Sequence, residues 1–168
     1  MKNKTGLLTP GKGKPLPDCT IFLLAKAYQK AHRIFSQCLK PYGLTNYQHL
    51  VLEGLWFEEG QTATELAKML VLDKATLSGV LDRLSKSNWI EKRPDPDDRR
   101  ITRLFPSKKA NSLKEKLIEL RRQANEKLLS ALTIEEQILF KRFLWDLIYE
   151  EIPLAYKQKI RENKDTHP

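Results

Sequence analysis

Between Glu65 and Phe105 the chain changes its apolar period, and that change narrows the folds open to it more than any other feature. Two helical stretches come first, Glu65 to Leu70 and Lys74 to Ser85, the second with Leu77, Val80, Leu81 and Leu84 on one face. Lys86-Ser87-Asn88 ends it. The period then drops to two. Trp89–Arg93 and Ile101–Phe105 read as short strands around Pro94-Asp95-Pro96-Asp97-Asp98-Arg99-Arg100, a charged, turn-rich loop. Strands joined this way form a hairpin whose loop projects as a wing. Paired short helices followed by a basic-tipped hairpin suit one task. The second helix enters a DNA major groove about 12 Å wide, and the hairpin reaches over the phosphates to the minor groove.

Helices frame this middle on both sides. Ile21, Leu24, Tyr28, Ala31, Phe35 and Leu39 form an amphipathic stripe that stops near Pro41-Tyr42-Gly43. Capping boxes, in which a Thr hydroxyl and a Glu or Gln side chain satisfy orphan amides reciprocally, mark helix starts at Thr45 with Gln48, Thr62 with Glu65, and Thr133 with Glu136. Asp73 and Ser107 cap two more. Ser107 leads a long helix with Leu113, Leu117, Leu120, Ala124 and Leu128 on one side. The last helix is expected to bury Ile134, Ile138, Phe143, Leu144, Leu147 and Ile148. The expected fold is therefore mainly α, a winged helix-turn-helix in the order α-α-α-α-β-β-α-α. Its expected divisions are a mobile basic arm over 1–16, a first helix within 17–44, a DNA-binding lobe over 45–107, C-terminal helices over 108–155 and a basic tail over 156–168.

Charge points to the class of partner. The 168 residues carry 30 Lys and Arg against 21 Asp and Glu, a formal charge of +9 that suits a polyanion. No apolar run approaches the roughly 20 residues that span a bilayer, and there is no basic amphipathic anchor. The N-terminus lacks the apolar segment of a secretory signal, so a cytoplasmic protein without membrane contact is expected. Cys19 and Cys38, if both lie on the first helix, sit about 28 Å apart, beyond disulfide reach. The three His and two Cys show no ligand spacing, and there is neither a phosphate-binding Gly loop nor a nucleophile–base pair. No metal, cofactor or enzymatic activity is expected.

With the apolar face of the second short helix turned inward, Lys74, Thr76, Ser78 and Gly79 are left on the opposite side near its N-terminus. They are small or basic, so they permit close approach to base edges, and the helix N-terminus itself favours phosphate. At the wing, Arg99 and Arg100 follow three acidic residues. An Asp beside such an Arg fixes the guanidinium direction before binding, with Asp98 as the expected buttress and Asp97 as the alternative. Arginines aimed into a narrow minor groove read DNA shape.

These residues resemble the MarR family of bacterial regulators. The resemblance rests on Leu72-Asp73 at the start of the reading helix, Leu81-Asp82-Arg83-Leu84 within it, and Arg93-Pro94-Asp95-Pro96-Asp97-Asp98-Arg99-Arg100 at the wing. Thr45 to Leu55 is similar to the family's second helix, and the likeness extends over roughly residues 20–150. Before the next helix the chain departs from the family's Leu-Thr with Pro106-Ser107, where Ser caps as Thr does. The resemblance implies a homodimer whose first, fifth and sixth helices intertwine, a pseudo-palindromic double-stranded DNA operator, and repression of transcription. It gives major-groove contact to Lys74, Thr76 and Ser78, and minor-groove or phosphate contact to Arg99 and Arg100. The apolar terminal helices ask for a partner on their own account. A winged-helix module that binds protein through the same face is the alternative, and the basic wing argues against it.

Many members of that family bind small phenolic or aromatic acids between the dimer helices and the DNA-binding lobe. Here Tyr28, His32, Tyr47, His49 and Trp56 are the candidates to line such a crevice, with Arg33 as a carboxylate partner. Some members sense peroxide through a Cys directly before a Phe-Leu-Leu-like triplet. Phe22-Leu23-Leu24 is that triplet, but Ile21 holds the preceding position, so Cys19 and Cys38 are expected to be buried or inert.

Overall fold

The computed structural model describes residues 17–149, in the order α1 (Thr20–Leu39), a 3-10 turn (Lys40–Tyr42), α2 (Asn46–Phe57), β1 (Gln61–Thr62), α3 (Ala63–Leu70), α4 (Lys74–Lys86), β2 (Ile90–Pro94), β3 (Thr102–Pro106), α5 (Lys108–Leu129) and α6 (Ile134–Tyr149). The proposed arm 1–16 and tail 156–168 lie outside the described residues.

Local chemistry sets the helix starts. Thr45 with Gln48 and Thr62 with Glu65 form reciprocal capping boxes, and Thr133 exchanges the same pair of bonds with Glu136. Asp73 and Ser107 accept from the amides of Thr76 and Ala110. Helix α4 ends with Asn88 at φ 56°, and the Trp89 amide returns to the Leu84 carbonyl at 2.9 Å. Asn tolerates that left-handed conformation; Val does not. Val71, which closes α3 at φ 52°, is therefore a strained residue in the turn of the helix pair, and its side chain is exposed.

The core lies inside the lobe. Leu52 and Leu55 of α2, Leu66 of α3, Leu77, Val80 and Leu84 of α4, Trp89, and Leu104 of β3 are essentially removed from solvent. Helix α2 crosses α3 at Gly54, where an added Cβ would stand 2.8 Å from both Leu66 Cδ1 and Met69 Cε. The sheet has three antiparallel strands in the order β1-β3-β2, with Leu104 paired to Gln61 on one side and Lys92 on the other. The expected order thus lacked a strand. Two residues, Gln61 and Thr62, are too few to show an alternation, and β3 recruits them by pairing. The other two strands lie one residue later than expected.

Helix α5 returns along α1 and seats Leu117 in the core. Lys109 at its start lies over the Trp89 ring, 4.2 Å from the centroid, and donates to the Ser87 carbonyl, so it is anchored to the end of α4. The expectation for the last helix is corrected. Ile134, Ile138, Phe143, Leu147 and Ile148 are exposed, Ile134 by 66%, and only Leu144 is partly covered. The helical period is right, but α6 leaves the lobe and, among the described residues, no element of the same chain covers that stripe. The outer half of α1 behaves alike, with Ile21, Leu23, Leu24 and Tyr28 exposed. No helix among the described residues is long and apolar enough to cross a membrane.

Candidate nucleic-acid interface

Leu77, Val80, Leu81 and Leu84 hold one face of α4 in the core, and that orients the rest. At about 100° per residue, the centre of the outward face falls on Ala75 and Gly79. Thr76 and Arg83 flank it on one side, Ser78 and Asp82 on the other. Lys74, Thr76 and Ser78 are exposed as expected, and Gly79 is half-buried. Ala75 and Arg83, exposed on the same face, went unnoticed in the sequence reading, although the helical period alone places them there. Gly79 has room around it: an added Cβ would find only Arg83 Nη2, at 3.9 Å.

The first turn is held by Asp73. One carboxylate oxygen accepts the Thr76 amide at 2.8 Å, and the other accepts the Thr76 hydroxyl at 2.5 Å. These two bonds, the hydroxyl first, hold the Asp73 carboxyl below the usual carboxylate range.

The wing is joined to this helix. Lys92 of β2 donates to Asp82 of α4 at 3.1 Å. Near the tip, Asp98 accepts from Arg100 Nε at 3.0 Å and Nη2 at 2.8 Å, a bidentate pair, and also from the Arg100 amide. Asp98 is thus the carboxylate that holds the Arg100 guanidinium. Asp97 donates its amide to Asp95 Oδ1 at 2.8 Å. Asp95 is the residue the sequence reading missed. Buried at the base of the wing, it takes the amides of Asp97 and Asp98 on one oxygen and the Arg103 guanidinium on the other. Arg103 in turn donates to the Gly60 carbonyl at 2.8 Å, which ties the loop before β1 to the hairpin. Arg99 and Arg100 are left exposed at the tip, Arg100 by 90% of its side chain even while paired.

Behind the lobe, α1, α2 and α5 enclose a cleft of about 390 Å³. Tyr28, His32, Tyr47 and His49 line it together with Phe35. Its charged end is Glu53 of α2 paired with Arg121 of α5, neither of which the sequence reading named. Their 68-residue separation leaves no local signal. Burial pushes the Glu53 carboxyl up, with Arg121 opposing. His49, buried edge-on to the Phe35 ring, is lowered to about 4 by burial and then by Arg121, the Leu117 carbonyl acting weakly the other way. Two expected residues are elsewhere. Arg33, one step of helical rotation from His32, faces a second groove with Lys40, Thr76 and Arg83. Trp56 commits its indole N–H to Asn111 at 3.0 Å and latches α2 to α5. Cys19 precedes α1 and is exposed rather than buried, because the helix starts one residue after it; Cys38 is half-buried and donates to the Ile34 carbonyl.

Comparison with known proteins agrees with this geometry. The family model described as MarR family matches residues 44–102. The HTH-type transcriptional repressor NicR of Pseudomonas putida is 30% identical over 126 residues, covering 75% of this chain and 80% of that protein. The multiple antibiotic resistance protein MarR of Escherichia coli is 35% identical over 78 residues, 46% of this chain and 54% of the relative, so the chain spans about half of that protein's length. Among solved structures, a probable transcriptional regulator from Pseudomonas aeruginosa superposes with a TM-score of 0.73 at 28% identity, over 77% of this chain and 97% of its own. A mutant MarR from Escherichia coli complexed with operator DNA superposes with a TM-score of 0.70 at 27% identity, over 75% and 91%.

Proposed function

This chain belongs to the MarR family, and from that premise we propose that it is a transcriptional repressor that binds a double-stranded operator as a homodimer and is released by a small aromatic effector. The observation that carries the DNA reading is the joint placement of α4 and the wing. A helix whose outward face is Ala75, Thr76, Ser78 and Gly79, with Lys74 exposed at its first turn, is bonded through Asp82 and Lys92 to the hairpin that lifts Arg99 and Arg100. On this reading α4 enters the major groove, and Arg100, aimed by Asp98, meets the minor groove or its phosphates.

The dimer follows from the uncovered apolar stripes of α1 and α6. Their burial against a second copy would remove from water a surface too apolar for a monomer to keep. A two-fold dimer presents two reading helices, so the operator is a pseudo-palindrome with half-sites about 34–36 Å apart. The effector would enter the cleft between α1, α2 and α5, where aromatic side chains offer faces to a planar ring. Gel shift against a randomised duplex pool at two salt concentrations, with sedimentation of the free protein, tests the whole. A salt-sensitive shift with sequence preference and a dimeric mass is expected. A monomer at micromolar concentration that ignores duplex DNA would refute it.

A further inference from the structure

Groove-facing Thr hydroxyls read sequence loosely, because the group both donates and accepts and suits almost any base edge. Thr76 is different. Its only hydroxyl proton is committed to the Asp73 carboxylate at 2.5 Å, while the other carboxylate oxygen holds the Thr76 amide at 2.8 Å. A bond from a hydroxyl to an ionised carboxylate is charge-assisted and about twice as strong as a neutral one. What this corner of α4 offers outward is therefore the lone pairs of the Thr76 hydroxyl, the unspent lone pairs of Asp73, and a methyl group. Both residues are exposed, and among the ion pairs of the described residues none engages Asp73.

We propose that Asp73 and Thr76 form an acceptor-only reading unit that favours an amino base, adenine or cytosine, over a keto base at the operator position it meets. The inference rests on the DNA-reading role proposed for α4. In the major groove adenine presents its N6 amino group and cytosine its N4 amino group, whereas guanine O6 and N7 and thymine O4 are acceptors. An edge without a donor set against a unit without a donor leaves both desolvated and unpaired, the costly outcome for polar groups.

The test uses the full chain and selection from a duplex pool of random sequence, with thermal melting as the check on folding. Wild type should prefer A or C over G or T by about fivefold or more at one position of each half-site. Asp73→Asn keeps the cap, since Asn caps as well as Asp. Its amide can donate to Thr76 and free the hydroxyl proton for bases. The amino preference at that position should collapse while the other positions keep theirs. Asp73→Ser, which also caps but sets a hydroxyl with a proton to donate where the carboxylate stood, should lose the same preference, and it decides the matter alone if Asp73→Asn fails to fold. A wild-type preference that survives both substitutions would overturn the reading unit, as would an Asp73→Asn protein weakened equally on every sequence. Both results would leave α4 as a DNA reader. Wild-type protein that selects no sequence at all would refute that role itself.

Discussion

Two glycines on adjacent helices of the lobe make a controlled experiment. Glycine within a helix costs about 0.8–1.0 kcal/mol relative to alanine, so Gly54→Ala and Gly79→Ala begin with the same favourable contribution. At Gly54 the new methyl would stand 2.8 Å from Leu66 Cδ1 and Met69 Cε and 3.3 Å from Leu70 Cδ2, all within a packed crossing. Overpacking of that kind costs about 1–3 kcal/mol, so Gly54→Ala should lose up to about 2 kcal/mol net. At Gly79 the nearest atom is the tip of Arg83 at 3.9 Å, an ordinary contact with a mobile group. Gly79→Ala should therefore gain close to the full 0.8–1.0 kcal/mol. Urea denaturation at fixed protein concentration measures both. The fold has no need of a glycine at position 79; on the proposed DNA-reading role of α4, its use is to let DNA approach closely. The stabilised Gly79→Ala protein should bind its selected operator about fivefold more weakly or worse, on the scale of one lost base contact. Lower stability for Gly79→Ala would refute the packing argument. Higher stability with undiminished operator affinity would refute the close approach of DNA at this residue.

Three further outcomes follow from the geometry. Arg99→Ala should lower the slope of log affinity against log salt by about 0.9, the effect of one phosphate contact, and Arg100→Ala should lower it likewise while leaving Asp98 unpaired to repel the backbone; a gel-shift salt series with unchanged slopes for both would remove the wing from the interface. Val71→Gly should raise stability by about 1 kcal/mol, because the left-handed conformation costs a β-branched residue about 1–2 kcal/mol and glycine returns only part of that as chain entropy; a lower denaturation midpoint would contradict it. His49, ordinarily near 6.5 and lowered to about 4 in the fold, contributes stability that is complete above pH 6.5 and is lost as pH falls towards 4. The loss is on the order of 3 kcal/mol, at about 1.4 kcal/mol per unit. Glu53, raised in the fold, works in the opposite sense below its own titration, so His49→Phe should flatten or reverse the acid slope in pH-dependent melting; an unchanged slope would dismiss His49 as its source.

What was legible in the chain is what is encoded locally. Caps act over three residues, so Thr45, Thr62, Asp73 and Ser107 announced their helices, and the helical period put Leu77, Val80, Leu81 and Leu84 inside. What was hidden is encoded by contact between distant segments. Asp95 looks like any acidic turn residue until Arg103 closes on it from across the hairpin and carries the loop at Gly60 with it. Glu53 and Arg121 become a pair only when α5 folds back along the lobe. Periodicity identifies the apolar stripe of α6 but is silent on what covers it, and among the described residues of one chain nothing does.

The position of that stripe along the chain has a consequence for synthesis. The outer half of α1 emerges from the ribosome long before α6, which lies beyond the whole reading lobe. At about 5–20 residues per second the interval is several seconds or more, time enough for the lobe to fold while Ile21, Leu23 and Leu24 stand bare. On the proposed reading, a nascent chain in this state carries a complete DNA-binding surface and half of its pairing surface. Two such chains on neighbouring ribosomes cannot complete the union, since the second half is still inside the exit tunnel. Pairing through these stripes, if it follows the proposed dimer, is deferred to finished molecules, and the early apolar half-face is the segment for which a chaperone that attends emerging chains would compete.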